Sequence, residues 1–349
     1  MKKHSTITVG MDIGDKYCEI CLLERSQVKT QGKLRASSKA LRAYFGQKPP
    51  MLIAMEACTH SPWLSRLLKK LGHEVIVANP RRLQLISKSV NKNDRADAEL
   101  LARLACADRA LLSPLQHISE EAQKTRAVVL GRDALVRART ELINHVRGVL
   151  KALGVRLPKC SAESFHKRVV EAGPNWHEIV EAVVQSIAVL TEKIKQYDRR
   201  IENLCKEIPE ATVLRQIPGV GPITALTFVL SIGDPQRFVR NRMVGAYLGL
   251  TPKKKQSGDD DPQLSISKAG NPYLRRLLVV ASHYILGPFG PDSDLRRHGL
   301  KIAQRGGKRA KKRAVVATSR KLAVLLLRLM KTGEEYRPLY NSEPLSEAA

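Results

Sequence analysis

In the first hundred residues, short apolar runs alternate with stretches of helical period, the mark of an α/β domain. Thr6 to Ile13 reads as a strand, Tyr17 to Glu24 as its hairpin partner and Val28 to Leu34 as a third strand. A helix around Lys39 to Phe45 leads through Pro49 and Pro50 to a strand at Met51 to Glu56. A helix from Pro62 to Leu71 and a strand from Glu74 to Ala78 complete the run. The first of these apolar strands carries Asp12 next to its end, and the fourth ends on Glu56.

Three strands followed by helix, strand, helix, strand is the order of a ribonuclease H-like fold. Beyond it the period becomes helical. Val128, Leu135, Leu142, Val146 and Val149 share one face of a helix over roughly 119–153, and a second long helix is expected over 176–206. The two are expected to form an antiparallel helical or coiled-coil spacer, separated by a section through Pro158 and Pro174. The expected division is a nuclease-type domain over 1–112, the spacer over 113–208, a basic, mainly helical domain over 209–340 and a tail over 341–349.

Charge narrows the function. The 349 residues carry 60 Lys and Arg against 33 Asp and Glu, a formal net charge of +27, which excludes an ordinary neutral metabolic enzyme as the default. With 43% hydrophobic residues the chain can repay the ordering of two or three cores. Between Thr251 and Lys331 there are 19 Lys and Arg and five Asp and Glu. Such a balance suits a phosphate polymer or an anionic membrane. The apolar stretches Leu277 to Leu286 and Leu322 to Met330 are too short to span a bilayer, and the N-terminus meets Asp12 before any signal core forms. A cytoplasmic protein with a nucleic-acid partner is therefore expected. The six cysteines form no disulfide framework. Cys18 and Cys21 make a C-x-x-C pair, but strand spacing sends them to opposite faces.

Four acids stand out. Asp12 lies in an apolar strand between Gly10 and Gly14, and Glu56 ends the apolar run Met51-Leu52-Ile53-Ala54-Met55. A carboxylate so placed is costly unless it is paired or holds a metal. Asn93-Asp94-Arg95-Ala96-Asp97-Ala98 opens a helix whose i, i+3 spacing puts Asp94 and Asp97 on one face. Taken singly, Asp94 reads as a helix cap, Asp97 as a first-turn acid and Asp15 as a turn residue. Together, Asp12, Glu56, Asp94 and Asp97 make an oxygen-rich site suited to Mg²⁺, and two such ions serve an in-line phosphoryl displacement.

Two features of the basic domain bear on phosphate. Ile217-Pro218-Gly219-Val220-Gly221-Pro222 reads as a helix-hairpin-helix, in which Gly219 and Gly221 let backbone N–H groups approach a phosphate. A plain helix-to-helix connection has the same composition. Downstream come Tyr247-Leu248-Gly249-Leu250-Thr251-Pro252, Gln256-Ser257-Gly258 and Ile266-Ser267-Lys268-Ala269-Gly270-Asn271-Pro272. Pro272 suits a first helical turn, so Ser267 and Lys268 fall just before a helix, close in sequence to Arg275 and Arg276. From spacing alone Ser267 reads as a cap or loop serine, and a nucleophile is the sharper alternative. The run from Arg305 to Arg313 holds six cations in nine residues, among them Lys308, Arg309, Lys311, Lys312 and Arg313, which suit a phosphate backbone. Aromatic residues are only 4%, so base stacking is not the expected mode of RNA contact.

These strings resemble the insertion-sequence transposases of family one-ten. The strand ending in Asp12, Met55-Glu56-Ala57 and Lys92-Asn93-Asp94-Arg95-Ala96-Asp97-Ala98 look like that family's DEDD tetrad on a RuvC-like domain. Its third element usually reads K-T-D-x-x-D-A, so Asn93 replaces a small hydroxyl residue. The resemblance implies that Ser267 is a nucleophile joined to DNA during strand exchange, with Ser265 the weaker alternative. It implies too that the nuclease domain of one subunit works with the serine domain of another in a dimer or tetramer, and that a structured noncoding bridge RNA chooses donor and target DNA. Two other readings stay open: a metal-only endonuclease such as a junction resolvase, and a non-enzymatic nucleic-acid-binding protein.

Overall fold

A computed structural model of the chain describes residues 7–80, 93–171, 174–255, 262, 264–307 and 309–341. Gln256-Ser257-Gly258, Lys92, Lys308 and the tail from 342 lie outside the described residues. The chain divides into two compact units, Met1–Ile118 and Ser119–Ala349.

The first unit is a five-stranded sheet with helices on both faces. Its strands are β1 (Ile7–Ile13), β2 (Tyr17–Glu24), β3 (Gln27–Arg35), β4 (Leu52–Glu56) and β5 (Glu74–Ala78), in the order β3-β2-β1-β4-β5. β1 pairs antiparallel with β2 and parallel with β4, and β4 is parallel to β5. Period-two alternation divides the side chains between two cores. Val9, Met11, Ile53 and Met55 pack with α1 (Ser38–Phe45) and α2 (Ser61–Lys70), through Leu41, Phe45, Leu64 and Leu68. On the opposite face Leu52, Ala54 and Ile76 meet Leu101 and Ala105 of α3 (Asp94–Ala107). Cys18 joins the first core and Cys21 packs against Ala98 and Ala102 of α3, on opposite faces as their spacing predicts.

The second unit is helical. α4 (Glu120–Ala152) and α6 (Pro174–Glu207) run antiparallel: Val128 meets Ile201 at one end, Arg132 Nε donates to Asp198 at 2.6 Å, and Val146 meets Val184 further on. A short helix unforeseen in the sequence, α5 (Phe165–Glu171), buries Phe165 and Val169 against that pair. Val128, Val129 and Ile201 pack in turn on α8 (Pro222–Ile232) and α10 (Pro272–Leu286) through Leu226, Leu230 and Tyr273. The main core gathers α7 (Pro209–Leu214), α8, α9 (Met243–Tyr247), α10, α11 (Asp294–Ala303) and α12 (Ala310–Thr332). Among the described residues no helix is long and apolar enough to cross a membrane.

Candidate active site

Asp12 and Glu56 are neighbours by register. The parallel pairing of β1 and β4 matches Met11 with Met55, and the acids are the next residues along each strand, at the carboxyl ends. α3 supplies the other pair, and its approach is set by one glycine. A Cβ on Gly10 would stand 1.9 Å from the Ala98 carbonyl oxygen and 2.6 Å from the Ala102 nitrogen. Only a bare α-carbon lets the helix lie on the strand, which brings Asp94 and Asp97 to Asp12. Asn93, not Asp94, caps the helix: its side chain accepts from the Arg95 N–H at 3.1 Å. Asp94 is thus released from that duty.

The electrostatics report the crowding. Burial, then the charges of Asp94, Asp97 and Glu56, push the Asp12 carboxyl up to about 6, against a smaller opposing effect from a backbone hydrogen bond at Ile13. Residues 1–118 contain ten Asp and Glu, so four of ten bear on one point in a unit rich in cations. An all-carboxylate donor set fits a hard divalent cation and would be relieved by one. Among the described residues, no three His, Cys, Asp or Glu side chains stand close enough together to form a ready metal cluster.

Ser267 stands on irregular backbone. Residues 249–252 and 264–270 lie side by side: Pro252 bridges Ile266, Lys253 N–H donates to the Ser265 carbonyl at 2.9 Å, and Ser267 N–H to the Thr251 carbonyl at 2.8 Å. Lys268 N–H donates to the Gly249 carbonyl at 3.1 Å, and Lys268 is held at φ 55°. Gly249 has φ +69°, and a Cβ there would stand 2.2 Å from the Ala269 nitrogen. The two motif strings are therefore halves of one structure. Asn271 caps α10, accepting from Tyr273 N–H at 3.0 Å and Leu274 N–H at 3.3 Å, so the capping role open to Ser267 is filled. Ser267 is half-buried, Ser265 and Lys268 are exposed, and among the described residues the Ser267 hydroxyl makes no hydrogen bond.

The expected phosphate contacts divide. Arg275 donates to the carbonyls of Leu248, at 3.1 Å, and Ala269, stitching the serine loop together. Arg276 pairs with Asp133 of α4 and lies over the Tyr273 ring. Both have internal work. Gly219, at φ +90°, presses against α10, where a Cβ would come 2.9 Å from the Tyr284 ring; Gly221 is exposed at the start of α8 with open space around it. Arg309, Lys311, Lys312 and Arg313 are exposed. Arg305, Arg309, Lys312 and Arg313 of the basic run line a cavity of about 1210 Å³, together with cations outside that run, Arg320, Lys321, Arg328 and Arg337. The signal was available: 309, 313, 320 and 328 recur on one face of a helix.

Comparison with known proteins accords with this geometry. Residues 9–154 match the DEDD transposase model of the IS110 group, and residues 211–292 match the transposase IS116/IS110/IS902 family. The chain is 29% identical to the transposase for insertion sequence element IS1111A of Coxiella burnetii, over 94% of this chain and 91% of that one. It is 31% identical to the transposase for IS1328 of Yersinia enterocolitica, over 78% and 81% of the two chains. A pilin gene-inverting protein of Moraxella bovis is 25% identical over 91% of this chain and 93% of its own. With an acidic cluster in one unit, a braced serine loop in the other and relatives matching across both, the chain belongs to the IS110 family of insertion-sequence transposases, enzymes of DNA recombination.

Proposed function

We propose that this transposase cuts and rejoins DNA through a phosphoserine intermediate, with Asp12, Glu56, Asp94 and Asp97 as the metal-binding acids and Ser267 as the nucleophile. The carrying observation is the seat at Gly10, which sets two helix carboxylates beside two strand-end carboxylates and leaves Asp12 reluctant to ionise. A DEDD transposase domain depends on a divalent cation in general, and the all-oxygen donors favour Mg²⁺ at a two-metal site. When bound, the ions supply charge neutralisation at the phosphate oxygens.

The protein's own groups do the rest. Ser267 Oγ forms a bond to phosphorus, the bond from phosphorus to one deoxyribose oxygen breaks, and the serine proton ends on that oxygen. Rejoining reverses these changes with a different strand end. Lys268, beside the serine, offers positive charge to the phosphate as negative charge develops on it. Exposed Lys311, Lys312 and Arg313 hold the backbone without reading sequence. Choice of donor and target belongs to a structured noncoding RNA, and the working assembly is a dimer or tetramer whose subunits exchange nuclease and serine domains across the DNA. The RuvC-like assignment of the first unit rests on the strand order β3-β2-β1-β4-β5 with its antiparallel and parallel halves. The hairpin at Gly219 and Gly221 acts as a helix-hairpin-helix.

The test is a denaturing gel of labelled element-end DNA incubated with Mg²⁺, protein and RNA from the element's flanks. A protein–DNA adduct that survives denaturant, persists in Ser265→Ala and vanishes in Ser267→Ala is the expected result. Cleaved DNA without an adduct, unchanged by Ser267→Ala but lost in Asp12→Ala, would replace this reading with a metal-only endonuclease.

A further inference from the structure

The cavity of the second unit has chemistry that a duplex-binding surface does not need. Among the described residues, eight Lys and Arg line it against one carboxylate, Asp294. Arg305, Arg309, Lys312, Arg313, Arg320 and Lys321 have no ion pair among the described residues. Uncompensated cations gathered in a concavity call for an anionic occupant. Burial, then Lys321 and Arg305, also hold His298 on the wall below its usual range, which favours the neutral imidazole beside the Lys and Arg side chains.

The remaining wall is apolar. Ala317 and Val324 separate the cations along α12, and Leu264 and Ile266 line the cavity from the irregular segment that carries Ser267. The Arg328 guanidinium lies 4.4 Å from the centre of the Tyr340 ring, and Tyr340 is 56% exposed. A guanidinium stacked on one aromatic face is a ready platform for a flat ligand on the other. At about 1210 Å³ the space exceeds the ordinary small-molecule range of about 300–1,000 Å³, so its occupant is extended. A duplex keeps its bases stacked inside and presents phosphates on a convex surface, so it leaves such an apolar wall uncovered. Unpaired nucleotides supply both halves of the match: anions for α12, and bases for the apolar wall and the ring.

We propose that this cavity binds an unpaired nucleotide segment, with its phosphates along Arg309, Arg313 and Arg320 and a base stacked on Tyr340. Ser265 lines the same wall, so the bound strand passes within two residues of Ser267. The inference rests on the proposed nucleic-acid function and names the strand state that this site takes.

Fluorescence anisotropy on the full chain tests it with a short single-stranded DNA, the RNA of the same sequence and the blunt DNA duplex. Tyr340→Ala removes the platform and Ala317→Trp fills the cavity without touching charge. Each should weaken single-strand binding about tenfold while leaving duplex binding within about twofold, and Tyr340→Phe should restore the wild-type value. The tighter of the DNA and RNA arms identifies the source of the strand. Should both variants bind single strands as wild type does, or lose duplex binding equally, the cavity assignment is overturned and the nucleic-acid reading stands. Should wild type bind none of the three probes, both fall together.

Discussion

In the first unit every candidate carboxylate is placed by regular structure. Parallel register aligns the ends of β1 and β4, and helical spacing puts Asp94 and Asp97 on one face. In the second unit Ser267 stands on backbone with no helix or strand of its own, held by hydrogen bonds to 249–252 and by the guanidinium of Arg275. Different means solve the same problem of rigidity. In each case a glycine allows the contact, Gly10 under α3 and Gly249 under Ala269, and an asparagine takes the helix cap beside the candidate group. Regular elements suit a site in which like charges must be pressed together, because many ladder bonds share the load. A loop suits a nucleophile that has to reach out, provided its carbonyls are tied down.

The strongest way to break that comparison is to add one methyl group at each glycine. Gly10→Ala drives Cβ into the α3 backbone and should cost about 3 kcal/mol, moving Asp94 and Asp97 off Asp12. Gly249→Ala meets the Ala269 backbone and takes a left-handed φ besides, for about 3 kcal/mol or more. Urea unfolding measures both, and hydrogen exchange locates each loss in its own unit. Strand cleavage should be abolished in both variants. A Gly10→Ala protein that cleaves normally would show that the carboxylates do not depend on this seat.

Titration sharpens the contrast, because the first unit presses carboxylates together and the pKa of Asp12 reports it. The Asp12 carboxyl, normally half-ionised near about 3.9, is raised to about 6 in the folded chain. Between those values the unfolded chain has released a proton that the fold retains, so stability of the metal-free protein is full below about pH 4, falls as pH rises and levels above about 6. Asp12 is only half-buried, and solvent screening holds the loss to on the order of 1–2 kcal/mol. Asp12→Asn should flatten the profile. Mg²⁺ at pH 7.5 should raise the melting temperature of wild type and leave that of Asp12→Asn unmoved.

The same division governs what the sequence could reveal. Strand alternation and i, i+3 spacing are local rules, so the strands of the sheet and the candidate acids are legible in the sequence. Which residue caps which helix depends on backbone geometry, so the spacing alone leaves Ser267 open as a cap, a place that Asn271 fills in the structure. Arg275 and Arg276 looked free for phosphate because their partners, Leu248 and Ala269 for one and Asp133 for the other, are distant in sequence or lie across a turn. The short helix at Phe165–Glu171 was missed for the same reason: seven residues carry too little period to outweigh Pro158 and Pro174. The cationic stripe of α12 is legible only in part, since the dense run ends at Arg313 while Arg320 and Arg328 continue it at helical spacing among apolar residues.

The smallest expected effects test the asparagines themselves. Asn93 satisfies one N–H, that of Arg95, so Asn93→Ala should cost about 1 kcal/mol. Asn93→Thr should be close to neutral, because a hydroxyl accepts the same bond. Asn271 does more: besides the N–H groups of Tyr273 and Leu274, its amide donates to Ser231 Oγ at 3.0 Å and ties α10 to the end of α8. Asn271→Ala should therefore cost more, about 2 kcal/mol, and Asn271→Ser should recover only the capping part, since a serine side chain caps the helix but is too short to reach Ser231. Thermal denaturation ranks the four variants, and adduct formation on the gel separates stability from placement. If capping is all that Asn271 does, Asn271→Ser restores adduct yield along with stability. If the tie to Ser231 also positions the loop that carries Ser267, adduct yield stays low in Asn271→Ser while the melting temperature partly recovers, whereas Asn93→Thr loses neither.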